Sequence, residues 1–478
     1  MNFGVHALIA IPFIAAAILV VLPGYRLTAA LNVLASFLTF LAGLNLLAIE
    51  PGADPYLIVD DVNIVFIILN TLVGFTAAWF SASYIGHEIE TGRVTALSVR
   101  FYHAMYQAMI GAMNVALLSN NIGLLWVGLE LATLITVVMV GLYRTPEAIE
   151  AAWKYFILGS VGISLAFFGT ILAYLAGQAA LGDGLPAMSW TLLHANADKL
   201  DVGLLNLAFV FLLVGYGTKV GLAPLHAWLP DAHSEGPTPI SAVLSGLLLN
   251  VALYALLRFK MLIAANPLAM RPGPILIVMG LVSLIFAAFM LYQRRDIKRL
   301  FAYSSIEHMG LITFAFGMGG PLANFAGLLH MTMHSLTKSA IFFAVGHVAQ
   351  AKGTQRIADI NGLSITHPGL AIGLGAGVLA IAGLPPFGIF MSEFLILTTT
   401  FAREPWLAPL PAFGLVLAFG ALLLRLQGML FGTAGGVSHA VKASPFPFAF
   451  HLVLVLIAGL YLPGSLVNWF QRAAEFLG

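Results

Sequence analysis

Apolar runs about as long as a bilayer is thick recur from one end of this sequence to the other, and that repetition constrains the chain more than any motif does. A hydrocarbon core of about 30 Å needs about 20 apolar residues per helix. Read with that window, the chain holds roughly fourteen spans. They centre near residues 13, 38, 73, 109, 131, 165, 213, 248, 282, 308, 336, 385, 419 and 458. The alternative in lipid is a closed β-barrel, whose strands alternate apolar and polar residues. These runs do not alternate, so the expected fold class is an all-α integral membrane protein. Of 478 residues 9% are charged, against about a quarter in a soluble domain. That is too little charge to coat a soluble chain of this length. The net charge of +1 offers no basic field to nucleic acid. With no cysteine, no disulfide and no cysteine-held cluster belongs to the chain. Redox cofactors are therefore expected in partner subunits, and none in this chain.

Orientation follows from the basic residues, which concentrate in cytoplasmic loops. Eleven fall in loops after odd-numbered spans, including Arg294, Arg295, Lys298, Arg299, Lys352 and Lys442. Six, including Arg258 and Lys260, fall in loops after even-numbered spans or in the tail. Both termini are thus expected on the non-cytoplasmic side of a bacterial inner membrane. No Lys or Arg precedes Arg26, so the first span reads as retained rather than as a signal peptide.

Two breaks interrupt apolar segments. One is Gly-Leu-Ala-Pro-Leu-His-Ala-Trp-Leu-Pro-Asp at 221–231, and the other is Gly-Leu-Pro-Pro-Phe-Gly at 383–388. Pro224 cannot donate to the carbonyl of Val220, nor Pro385, followed by Pro386, to that of Ile381. In lipid such carbonyls need other partners. The breaks lie in the seventh and twelfth spans, five apart, as paired discontinuous helices do in inverted-repeat transporters. Proline merely kinking packed helices is the plainer alternative.

Ionisable residues at membrane depth favour the first reading. They are Glu130, Lys219, Glu307, His308, His330, His334, Lys338 and Glu393. A charge at the bilayer centre costs at least about 2.5–3.5 kcal/mol, and packing needs none of these. His330, His334 and Lys338 stand at i, i+4 and i+8, on one helical face. A Lys beside a movable Glu can be switched between holding and releasing a proton, which Arg cannot do. Together they read as a hydrated polar axis along the membrane plane. His330 and His334 also have a metal pair's spacing, but the Glu that follows the first His in the zinc motif is here Met331, so no metal is expected. Lys154, at a span edge, either joins the relay or snorkels to the interface. Arg425, which keeps its proton, reads as a static counter-charge. Asp231 and His233, just beyond the first break, read as solvated.

These motifs carry a resemblance. The first break with Gly-Pro-Thr-Pro-Ile-Ser-Ala at 236–242, Asp296-Ile-Lys-Arg-Leu-Phe-Ala-Tyr-Ser-Ser, and His334-Ser-Leu-Thr-Lys-Ser-Ala resemble the antiporter-like proton-translocating subunits. That family serves respiratory complex I, multisubunit cation/proton antiporters and membrane-bound hydrogenases. Ser304-Ser-Ile-Glu-His-Met-Gly is similar to its hydrogenase-4 component F branch. The resemblance covers nearly the whole chain. It implies fourteen helices: helices 1–3 over residues 1–90, inverted five-helix repeats over 100–260 and 272–431, and a last helix over 445–478. By motif match, Glu130 and Lys219 take the places of the family's first Glu–Lys pair, Lys338 that of the central second-half Lys, and Glu393 that of the terminal group. Asn250 stands where several relatives carry a linking Lys, so water or a nearby His would have to bridge the halves. The chain ends soon after the fourteenth span, without room for the long lateral helix of the largest complex I subunit.

The function implied is proton movement within a multisubunit redox complex, hydrogenase-4-like or NADH:quinone oxidoreductase-like, in contact with other membrane and peripheral subunits. A subunit of a Na+/H+ antiporter, and a proton-conducting membrane partner of a cytoplasmic CO2-hydrating protein, are the alternatives.

Overall fold

The computed structural model describes residues 3–433, 439, 441 and 444–478, so Lys442, counted above among the loop charges, lies outside them. The chain opens with α1 (Phe3–Val21) and α2 (Tyr25–Asn45). A two-stranded antiparallel pair follows, β1 (Gly52–Ala53) and β2 (Ile58–Val59), with Gly52 opposite Val59. Next come α3 (Asp61–Glu90), α4 (Ala96–Leu118), α5 (Ile122–Val140) and α6 (Pro146–Leu181). Short α7 (Leu185–Met188) and α8 (Trp190–Ala195) lead to α9 (Val202–Val220), α10 (Trp228–Glu235) and α11 (Thr238–Val243). A π-helical turn, Leu244–Leu248, joins α11 to α12 (Leu249–Ala264). The rest is α13 (Gly273–Leu291), α14 (Ile297–Met318), α15 (Pro321–Lys352), α16 (Leu363–Thr366), α17 (Pro368–Ile381), α18 (Gly388–Arg403), α19 (Pro409–Phe431), α20 (Phe446–Leu460) and α21 (Gly464–Phe476).

Among the described residues, nine helical stretches are long and apolar enough to cross a membrane, and the α20–α21 pair, bent by 85°, makes a tenth. Helices α4, α14 and α15 are as long, at 23, 22 and 32 residues. They fall short on apolarity because they carry buried polar groups, among them Gln107, Asn114, Glu307, His308 and Lys338. Eight of the nine are partly turned outward, while Thr238–Ala264 is apolar and buried along nearly its whole length. Ile14, Val161 and Val416 are exposed in a way only lipid or a partner subunit makes comfortable.

Helix starts are chemically marked. Asp60 accepts from the Asn63 amide at 2.8 Å while the Asn63 side chain accepts from the Asp60 amide at 2.9 Å, a reciprocal cap that stabilises α3 by about 1 kcal/mol. Asn121, Thr145, Asp201 and Asp296 cap α5, α6, α9 and α14 from one side only, each side chain accepting from a first-turn amide. Without a hydrophobic drive between helices in lipid, close packing relies on small residues. Gly280 on α13 and Gly310 on α14 meet backbone to backbone: a Cβ on either would come within 2.7 Å of the other's carbonyl oxygen.

The longest central helix, α15, is buried along most of its length and is contacted by α14, α17, α18, α20 and α3. Whatever chemistry its His–His–Lys face carries is therefore enclosed by protein rather than lipid. Four basic residues tallied above as loop charges, Arg258, Lys260, Lys298 and Lys352, are buried. They say nothing about the loops and are paired internally instead.

Candidate functional site

The first break is a helix end in mid-protein. α9 stops at Val220 and Gly221 turns the chain with φ +82°. Of the carbonyls this frees, that of Thr218 accepts from the Trp228 indole at 2.8 Å. The Ala223 amide, on the far side, donates to Ser283 Oγ at 2.9 Å. Trp228 also stacks on Tyr155, ring centres 4.3 Å apart, and Lys219 Nζ lies over the same Tyr155 ring at 5.1 Å. Lys219 thus sits at the last turn of α9, where its charge meets the negative end of the helix. Glu130 on α5 is the charge that acts on it. The two are not directly hydrogen-bonded: Lys219 Nζ and Glu130 Oε2 have no hydrogen-bond partner within the protein. Thr136 and Tyr155 share a hydroxyl contact of 2.9 Å beside them.

The second cluster lies between α14, α15 and α18. Lys338 Nζ donates to the Phe301 carbonyl at 3.1 Å. Glu307 is the carboxylate whose charge reaches it, and Glu307 in turn touches His308 Nε2 at 3.3 Å. His308 Nδ1 is 3.0 Å from His330 Nε2, and His330 Nδ1 is 2.8 Å from Ser392 Oγ. His334 stands over His308, ring centres 5.4 Å apart, with both nitrogens unpartnered within the protein. The Glu393 carboxylate rests against Gly383, a residue at φ +69° in the second break where no Cβ would fit. The metal-like pairing is therefore not His330 with His334 along one helix, but His308 with His330 across two.

Between the clusters the contacts are hydroxyls and amides. Asn250 donates to Ser335 Oγ at 2.6 Å and to the Gly246 carbonyl, inside the π turn, at 2.9 Å. Ser245 and Ser305 hydroxyls meet at 2.7 Å, and Ser305 donates to the Phe301 carbonyl that also takes Lys338. Ser304 and Ser339 hydroxyls are buried and unpartnered. Asn250 thus joins the first-half helix α12 to α15 one residue from His334.

Two expectations change. His233 is fully buried, stacked on Phe342 at 5.0 Å with both ring nitrogens unpartnered. It faces the charges of Lys298 and Lys338, so it is not solvated: α10 folds back under the break and carries it inward. Asp231 is partly exposed but ion-paired, to Lys154 at 3.2 Å and Arg299 at 3.0 Å. Lys154 also pairs with Glu150 at 2.6 Å and is about half exposed. It belongs to that surface network, as the snorkelling alternative has it. Arg425 is partly exposed, donates to the Tyr292 carbonyl, and lines a loop-side cavity of about 440 Å³ with Arg295 and Arg356. Pro224, Pro385 and Pro386 occupy the breaks, each of which contains a cis proline peptide.

Lys298 and His233 escaped sequence reasoning. Lys298 Nζ donates to the carbonyls of Ser234 and Gly236, at 2.9 and 2.6 Å, at the end of α10. In sequence it is one of four basic residues in a run, indistinguishable from its exposed neighbours. His233 carried one usable signal, its place three residues before the Gly-Pro-Thr-Pro turn, which brings α10 back into the protein.

Comparison with known proteins gives this geometry its relatives. Residues 119–418 match the family described as NADH:quinone oxidoreductase/Mrp antiporter, membrane region. Over 471 residues, 98% of this chain and 99% of the relative, the sequence is 59% identical to a hydrogenase-4 component F homolog of Methylacidiphilum infernorum. In fold it is similar to a chain of the membrane-bound sulfane sulfur reductase, an archaeal respiratory membrane complex, with a TM-score of 0.87 at 24% identity, covering 99% of this chain and 97% of that one. It is also similar to a chain of respiratory complex I from Thermus thermophilus, with a TM-score of 0.83 at 24% identity over all of both chains. The broken helices with their buried Lys and Glu, the match over residues 119–418 and the full-length relative together place this chain in the NADH:quinone oxidoreductase/Mrp antiporter membrane-subunit family.

Proposed function

We propose that this chain moves protons across the membrane as one subunit of a multisubunit redox complex related to the hydrogenases. The observation that carries the reading is the set of ionisable groups gathered beside the helix breaks: buried Lys219 with partly exposed Glu130 at the first, and buried Lys338, Glu307, His308, His330, His334 and Glu393 at the second. A packed bundle gains nothing from such groups, and each is costly to bury. Their partners are titratable or rotatable, as proton transfer needs. A structural change in a neighbouring subunit would bias Lys219 toward or away from Glu130. Protons would then pass through the Asn250–Ser335 contact, by hydroxyls and water, to the second cluster.

The chain would cross the membrane fourteen times: the nine apolar stretches, α4, α14, α15, the split α17–α18 pair, and α20. Residues 100–260 and 272–431 would be inverted repeats, with a broken helix in each, and both termini would face away from the cytoplasm. Electron transfer would belong to partner subunits, since the chain has no cysteine and so no thiolate for a cluster. The hydrogenase-4 component F homolog is the relative that favours a hydrogenase-type assembly.

The test is Lys219→Ala in the complex purified with its native partners and in inverted membrane vesicles. Proton movement should vanish while the partners' redox activity persists at least in part. Unchanged proton transfer would sink the assignment. Sodium-for-proton exchange without any electron donor would point instead to a redox-free antiporter. Co-purification with a lone CO2-hydrating protein would point to the third alternative.

A further inference from the structure

The second cluster also has the donor arrangement that a transition-metal ion requires. His308 Nδ1 and His330 Nε2 are 3.0 Å apart. With a Glu393 carboxylate oxygen they form a group whose donor atoms all lie within 4.8 Å of one another. Histidines that bind metals place their other ring nitrogen on an outer partner that sets the ring's orientation. His330 does so here, its Nδ1 standing 2.8 Å from Ser392 Oγ, while His308 Nε2 lies 3.3 Å from the Glu307 carboxylate without the alignment of a hydrogen bond. Nothing along one helix makes this set, because the donors come from α14, α15 and α18.

We propose that His308, His330 and Glu393 form a binding site for a divalent transition-metal ion of the zinc type, with one coordination position left to water. Two imidazoles and a carboxylate suit zinc, which takes nitrogen and oxygen ligands at roughly 2.0–2.2 Å. They do not suit magnesium or calcium, which take oxygen sets. Glu393, at 9% exposure, is the least enclosed of the three and stands beside the second break, which gives the ion its approach. A bound ion occupies the two ring nitrogens that face each other and so closes the His308–His330 step to protons. That consequence rests on the relay proposed above; the binding does not.

The test uses the full-length chain with its co-purifying partners in lipid nanodiscs, titrated with zinc chloride alone. Bound zinc is counted by elemental analysis and its ligands are read by zinc-edge X-ray absorption. One ion per chain with two imidazole ligands is expected. Ser392→Ala, which removes only the outer partner of His330, should weaken binding by about 10–100-fold. His330→Gln and Glu393→Gln each remove a ligand and should weaken it further. Retention of partners and the melting temperature check that each variant folds, and Glu393→Gln carries the comparison where His330→Gln does not assemble. Zinc content equal in the wild type and a folded ligand variant overturns the site, as does a wild-type spectrum without imidazole ligation. Specific binding that leaves proton flux untouched keeps the site and overturns the relay through His308 and His330.

Discussion

Lys219 Nζ lies against Gly159 so closely that a Cβ at residue 159 would come to 2.6 Å from it. The glycine on α6 is what makes room for the lysine at the end of α9. Because the crowded atom is the tip of a flexible side chain, Gly159→Ala should displace Lys219 while leaving the helices in place. A misplacement of about 1 Å at a reacting group costs on the order of 100-fold in rate. Proton flux should therefore fall roughly 10- to 100-fold, with a melting temperature near that of the wild type. Normal flux in Gly159→Ala would mean that the position of the Lys219 amine is immaterial.

Lys219→Arg separates charge from proton exchange. The guanidinium keeps a positive charge beside Glu130 but does not release its proton. If Lys219 is a carrier, Lys219→Arg should be as inactive in proton movement as Lys219→Ala. If it is only a fixed counter-charge, Arg should preserve most of the flux. Measurement in inverted vesicles with both variants decides between the two.

The Trp228 indole is the partner of a carbonyl that the first break exposes. Trp228→Phe keeps the stacking on Tyr155 but leaves the Thr218 carbonyl with only the 3.2 Å bond from the Gly221 amide, which should cost about 0.5–1.5 kcal/mol. Denaturation in detergent should show that loss, and proton movement should fall with it because the same turn holds Lys219. A variant as stable as the wild type would show that the Gly221 amide alone suffices to cap α9.

Arg258 Nη2 pairs with Asp60 Oδ2 at 2.6 Å and lies over the rings of Trp190 and Tyr254 at 4.5 and 4.9 Å. Asp60→Ala strands a buried guanidinium and removes the cap of α3, and should destabilise by about 3–5 kcal/mol. The double variant Asp60→Asn with Arg258→Met, which removes both charges, should be the more stable of the two. Equal destabilisation would show that the lost contacts of Arg258 with Trp190 and Tyr254 outweigh the relief of a stranded charge.

Much of this was legible in the residues. The long apolar stretches, the two breaks and the ionisable residues at membrane depth all stand out, because lipid tolerates neither unpaired backbone nor casual charge. The i, i+4, i+8 face of His330, His334 and Lys338 needed only the helical period. Less could be read where polarity was dense. α4, α14 and α15 are less apolar than the helices around them because protein, not lipid, surrounds much of their length, and composition alone understates them as spans. The apparent loop charges Arg258, Lys260, Lys298 and Lys352 misled for the converse reason: a basic residue near a span end looks the same whether it faces water or a buried carbonyl.

The sequence by itself determined that this chain is helical, lives in lipid, breaks two helices and carries more buried ionisable groups than packing explains. Those properties follow from local composition, since each residue's transfer cost and backbone freedom belong to that residue. Only the tertiary structure decided which groups meet. Lys154 goes to the surface with Asp231, Lys298 goes inside to the end of α10, His233 turns inward, and His308 finds His330 rather than His334 finding it. Those choices depend on partners tens of residues away, such as Ser234 for Lys298 and Ser392 for His330. A buried polar group is satisfied by whatever the packing brings to it, and no local period encodes that.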